Sequence, residues 1–134
     1  MKYLVILLLI TGLQADIKLD ERLISTLIQV ESNGNNEAIG DNGKAYGCLQ
    51  IWSIVVRDVN RVYHTKYTHK QMFDRYTSCE VTELYLMYWG KHYEKKTGKK
   101  ATNEILARIH NGGPQGYKKE ATKKYWKKVL DILK

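Results

Sequence analysis

Glu31 closes an apolar helical stripe and opens a loop dense in turn residues. Leu23, Ile24, Leu27 and Ile28 recur at the three-to-four-residue spacing of one helix face. Glu31 follows Leu27 by four positions and Ile28 by three, so it falls on that same face. A carboxyl placed there meets little water, and scarce water favours the protonated form. A carboxylic acid that keeps its proton near neutral pH can act as a general acid. The plainer alternative is a helix-end glutamate that turns out to solvent or caps neighbouring backbone, since buried acids are uncommon.

Other chemistry finds less support. His64, His69, His92 and His110 include no helical i,i+4 pair, and the chain has no Cys-x-x-Cys, so neither a metal nor another cofactor is expected. Cys48 and Cys79 are compatible with a disulfide in an oxidising compartment, or equally with buried free thiols. A Cys–His nucleophile built from either thiol and His110 is a weak rival, because the apolar neighbours of Cys48 suit an inert thiol.

The elements that must hold Glu31 are mostly helical. The spacing predicts a first helix over residues 17–31, with Asp20 and Glu21 at its positive end. Residues 32–47 carry Gly34, Gly40, Gly43 and Gly47 among five Asn and Asp, which predicts a loop ordered by turns. That loop leaves room for a small hairpin with Asp41-Asn42-Gly43 as its turn. Residues 48–51 read as a short buried turn of helix, and Ser53 as the cap of a helix bearing Val55, Val56, Val59 and Val62. Thr68 to Gln71 and Thr77 to Glu80 have capping-box spacing. The second box would open a long helix ending at Gly98. A short helix from Thr102 or Asn103 to the His110-Asn-Gly-Gly-Pro114 stop, and a last one from about Lys118, complete the expectation.

The 134-residue length predicts one domain. Residues 1–15 have a basic start at Lys2, an apolar run from Tyr3 to Ile10 and a small residue at Ala15, the pattern of an export signal, with a retained anchor or a buried first helix as the alternative. Cleavage would remove Lys2 and take the net charge from +8 to +7. The remaining excess concentrates in residues 118–134, where seven lysines face Glu120 and Asp131. A basic surface attracts anionic polymers such as cell-wall material, although a solvated helix face fits equally well. Nucleic acid would suit the charge, but no nucleic-acid motif accompanies it.

With these elements in place, three motifs form a recognisable series. Glu31-Ser32, Tyr46-Gly-Cys-Leu-Gln-Ile51 and Ala107-Arg-Ile-His-Asn-Gly-Gly-Pro114 resemble the catalytic segments of soluble lytic transglycosylases and goose-type lysozymes. Cys48 stands where that family has Leu or Met, and His110 where it has Tyr. The stretch from Arg108 to Gly116, followed by Tyr125-Trp126, is also similar to invertebrate-type lysozymes, which are richer in cysteine. The resemblance implies a mainly helical, lysozyme-like fold, all-α apart from any hairpin, over residues 16–134. It implies a monomeric enzyme that cleaves the β-1,4 glycan bond of peptidoglycan, with Glu31 as the acid. Ser32, Gln50, His110 and Asn111 would line the cleft, with Asn111 serving otherwise as a helix cap. Tyr46 would stack on a sugar or fill the core.

A hydrolase of this kind needs a second carboxylate, as nucleophile at about 5–5.5 Å or as base at about 6.5–9.5 Å. Asp41 is the best-placed candidate, Glu37 the runner-up, and Asp41 equally suits a plain turn. A transglycosylase needs neither, because the sugar's own groups complete a 1,6-anhydro product. The leading expectation is therefore an exported lytic transglycosylase. A hydrolytic lysozyme using Asp41 comes next, and a lysozyme-like protein that binds glycan without cutting it stands apart from both.

Overall fold

A computed structural model describes residues 17–134. The expected export signal, residues 1–15, lies outside the described residues. Helix α1 (Glu21–Ser32) begins where Asp20 accepts the Arg22 backbone N–H at 2.9 Å. That cap, rather than the apolar stripe, sets the start, which is later than residue 17. Leu23 and Leu27 are fully buried and Ile24 and Ile28 nearly so, as their spacing requires. Asn33 ends the helix in the left-handed conformation.

The small hairpin for which the glycine-rich loop leaves room is present and gains a third strand. Strands β1 (Ile39–Gly40), β2 (Ala45–Tyr46) and β3 (Ile51–Trp52) form an antiparallel sheet in that order. Ile39 pairs with Tyr46, and Ala45 with Trp52. A 3₁₀ turn, Asp41–Gly43, joins β1 to β2, with Asp41 and Asn42 both at positive φ. Residues 48–51 do not form a turn of helix. Gln50 adopts φ +52°, which no right-handed helix accommodates, and Ile51 goes straight into β3. Gly47, at φ +82°, passes so close to Met72 that a Cβ would collide with the Met72 carbonyl.

Helix α2 (Ser53–Tyr63) has Trp52 rather than Ser53 at its cap position, and Ser53 is its first helical residue. The capping box at Thr68 and Gln71 is formed and opens a 3₁₀ segment, His69–Phe73. Helix α3 (Arg75–Thr97) starts earlier than the second expected box, because Asp74 accepts the Thr77 N–H at 3.0 Å. It ends at Gly98 as expected. Thr102 caps α4 (Asn103–Gly112). A 3₁₀ turn (Gly116–Lys118) then precedes α5 (Thr122–Leu133), which therefore starts after Lys118.

Helix α5 packs on α4 and α1, and α3 packs on α2 and α4. Leu23, Leu27, Leu49, Leu86 and Ile109 are fully buried between them. Each such side chain contributes about 2 kcal/mol by leaving water. Arg108 is also buried, yet all three of its nitrogens are used. Nε donates to Thr122 Oγ1, Nη1 to Glu104 and Nη2 to the Lys119 carbonyl, each at 2.9 Å. The guanidinium thus ties the end of α4 to the start of α5 and satisfies itself in doing so.

Candidate active site

The last turn of α1 delivers Glu31 to the wall of a cleft of about 710 Å³. Its side chain keeps 17% exposure, neither sealed in the core nor swung out to solvent. Tyr125 on α5 donates its hydroxyl to Glu31 Oε2 at 2.7 Å. His110 on α4 places Nε2 3.3 Å from the same oxygen and 3.1 Å from the Leu49 carbonyl. A carbonyl only accepts, so Nε2 carries a hydrogen, which it donates to Leu49 while lying beside Glu31. Both contacts converge on Oε2. Burial first, then the Glu31 charge and hydrogen bond, pushes the Tyr125 phenol far above its ordinary range, so it remains a donor.

Asp41, Gln50, His110 and Asn111 line the same cleft as Glu31. The exposed carboxylate of Asp41 accepts the Trp52 indole N–H at 2.8 Å. This bond orients the acid across the hairpin, and Lys44 lies over the same indole ring. Gln50 donates its side-chain amide to the Ala38 and Gly47 carbonyls, at 3.2 and 3.0 Å. It pins the hairpin while presenting one edge to the cleft.

Two residues named with the site stand behind it instead of lining it. Ser32 donates to the Cys48 carbonyl at 2.9 Å and so fixes the β2–β3 turn to α1. The Tyr46 ring stacks on His69 at 3.8 Å and on Phe73 at 4.6 Å, which makes it packing under the sheet. Glu37 is exposed and is not among the cleft residues.

Cys48 and Cys79 come together as free thiols. The hydrogen bond between them favours the Cys48 thiolate and pushes the Cys79 thiol up. Neither thiol lines the cleft, and His110 is committed to Leu49 and Glu31, which leaves no Cys–His pair.

Three residues at the cleft or directly behind Glu31 were not anticipated from the residues alone. Tyr125 sits on a stripe with Val129 that reads as ordinary core, although a buried phenol needs a hydrogen-bond partner and could have been questioned on that ground. Trp52 and Trp89 line the cleft itself, each donating its indole N–H to an aspartate, Asp41 and Asp58 respectively. Nothing in their spacing marks those pairings.

The chain has counterparts among known proteins. A chain of the crystal structure of Aeromonas hydrophila PliI in complex with Meretrix lusoria lysozyme superposes with a TM-score of 0.66 and 29% identity. That match covers 85% of this chain and 90% of the other. A lysozyme of Magallana gigas is 49% identical over 39 residues. The matched stretch is 29% of this chain and only 28% of that lysozyme's length. The transglycosylase SLT domain matches residues 9–131. With nearly the whole chain inside that match, and a mainly helical lysozyme-like fold around Glu31, the chain belongs to the transglycosylase SLT domain family.

Proposed function

We propose that this protein is an exported enzyme that cleaves the β-1,4 bond between N-acetylmuramic acid and N-acetylglucosamine in peptidoglycan. Glu31 is the proton donor. The observation that carries this reading is the one-sided setting of its carboxyl, with the Tyr125 hydroxyl bonded to Oε2 and His110 Nε2 3.3 Å from the same oxygen. Oε1 is thereby left to carry the proton toward the cleft. Transfer of that proton to the leaving oxygen breaks the glycosidic bond through an oxocarbenium-like state. The carboxylate that remains is held by the Tyr125 donor already in place, with the His110 ring beside it, and hydrogen bonds to an ion are the stronger kind. In the transglycosylase outcome the 6-hydroxyl oxygen of the muramyl unit bonds C1. Its proton returns to Glu31, and a 1,6-anhydro end results.

Family membership supports that outcome. The position of Asp41 in the same cleft, oriented by Trp52, supports a second reading, hydrolysis with Asp41 as nucleophile or base. Digestion of purified peptidoglycan followed by mass analysis separates the two. Anhydro-ended fragments are expected from the wild type, and reducing ends would transfer the reaction to the hydrolytic reading. Glu31→Gln should lower the rate at least ~1000-fold, the scale of losing a general acid together with its charge. Asp41→Asn at full activity would remove Asp41 from the chemistry. A wild type that releases no fragments would sink both readings and leave a glycan-binding protein.

The exposed lysines of α5, among them Lys124, Lys127 and Lys128, support a further part of the proposal, retention of the enzyme on anionic cell-wall polymers.

A further inference from the structure

Beyond Glu31 the cleft continues along one face of α2, where Ile54, Arg57, Asp58 and Arg61 line it. The charges there are unevenly committed. Asp58 Oδ1 pairs with Arg61 and Oδ2 accepts the Trp89 indole N–H at 2.7 Å. Both carboxylate oxygens are therefore used, and Arg61 is neutralised by the same aspartate. Across the cleft, the Lys119 ammonium donates to the Gly112 carbonyl at 2.7 Å. Arg57 is exposed and, among the described residues, its side chain has neither an ion pair nor a hydrogen bond. Beside it Ile54 shows 61% of its surface, an apolar shelf open to the same space.

An uncommitted guanidinium in a substrate cleft selects for a planar anion, which it binds through two parallel N–H donors. The glycan of peptidoglycan offers no such group of its own. Its sugars carry hydroxyls and acetamides, and the lactyl carboxyl of muramic acid is consumed in the amide to the peptide. The free carboxylates belong to the peptide stem, whose short apolar side chains would also suit Ile54. We propose that Arg57, with Ile54 beside it, forms a subsite that reads the carboxylate-bearing peptide stem of the strand being cut. This assignment rests on the glycan-cleaving reading above.

Two polymers test it: intact peptidoglycan glycan strands, and the same strands stripped of their stems by an amidase. Wild-type kcat/KM is expected to be higher on the stem-bearing strands. Arg57→Gln should lower the ratio of kcat/KM between stem-bearing and stripped strands about tenfold, mostly through KM, the scale of one exposed charge-assisted contact. Arg57→Lys should recover part of that ratio. An unchanged ratio in Arg57→Gln, whether both rates fall together or neither falls, overturns the subsite while leaving glycan cleavage standing. A wild type that cuts neither polymer overturns the subsite and the cleaving reading together.

Discussion

Glu31 is met by side chains from two other helices, and the hydrogen bond from one of them, Tyr125, spans 94 positions of sequence. That separation is why the site was only partly legible in the chain. Glu31, Gln50, His110 and Asn111 sit inside compact motifs, so their grouping could be read from order and spacing. Tyr125 sits on a helix stripe whose period is satisfied by packing alone, and no local signal distinguishes a core phenol from one aimed at an acid. Its removal makes a clean test, because Tyr125→Phe keeps the ring and deletes only the donor. The carboxylate formed after proton transfer would lose about 1.5–3 kcal/mol of stabilisation, the worth of a hydrogen bond to a charged group. A kcat lower by roughly 10- to 100-fold with little change in KM is the expected result in a peptidoglycan-digestion assay. Unchanged kcat would mean that the Tyr125 contact belongs to the resting protein alone.

At the scale of elements, the helices and the hairpin were legible where a strong local device decided them. Thr68 with Gln71, Gly98 and Thr102 each acted as their chemistry requires. Two of the misread boundaries share one cause, competition between caps. Asp20 and Asp74 accept backbone N–H groups and fix the starts of α1 and α3. Apolar periodicity and capping-box spacing pointed elsewhere. The start of α5 was decided over a longer distance, by Arg108, whose guanidinium captures the Lys119 carbonyl and Thr122 before the helix begins. Arg108→Met would leave the Lys119 carbonyl and Thr122 hydroxyl without that donor. We expect a loss of about 3 kcal/mol, the scale of leaving a part-buried carbonyl and a buried hydroxyl each short of a donor. For a chain of this size that is a fall of about 10 °C in Tm, measurable by calorimetry. Activity should fall further than stability explains when assayed well below Tm, because α5 also carries Tyr125 to Glu31. A variant that melts like the wild type would show that α5 is seated by its apolar face alone.

Over the whole molecule, α5 has two opposed faces with different tasks. Tyr125 and Val129 point inward and are buried, while Lys123, Lys124, Lys127 and Lys128 are exposed. The helix that holds the acid therefore also carries part of the +8 charge that would draw the enzyme to an anionic wall. Exposed charges act over about one Debye length, ~10 Å at 0.1 M salt. Retention should therefore be electrostatic and salt-sensitive, whereas the proposed cleavage would depend on a cleft whose key contacts are short and partly shielded. Retention on purified walls bearing anionic polymers should weaken several-fold as salt rises from about 50 to about 300 mM. The triple change of Lys124, Lys127 and Lys128 to Gln should flatten that dependence. It should spare kcat on short soluble glycan fragments, since Tyr125 keeps its place on the inner face. Retention that ignores salt in the wild type would assign the basic face to solubility. A large loss of kcat in the triple variant would show instead that the outer lysines help to seat α5 against the acid.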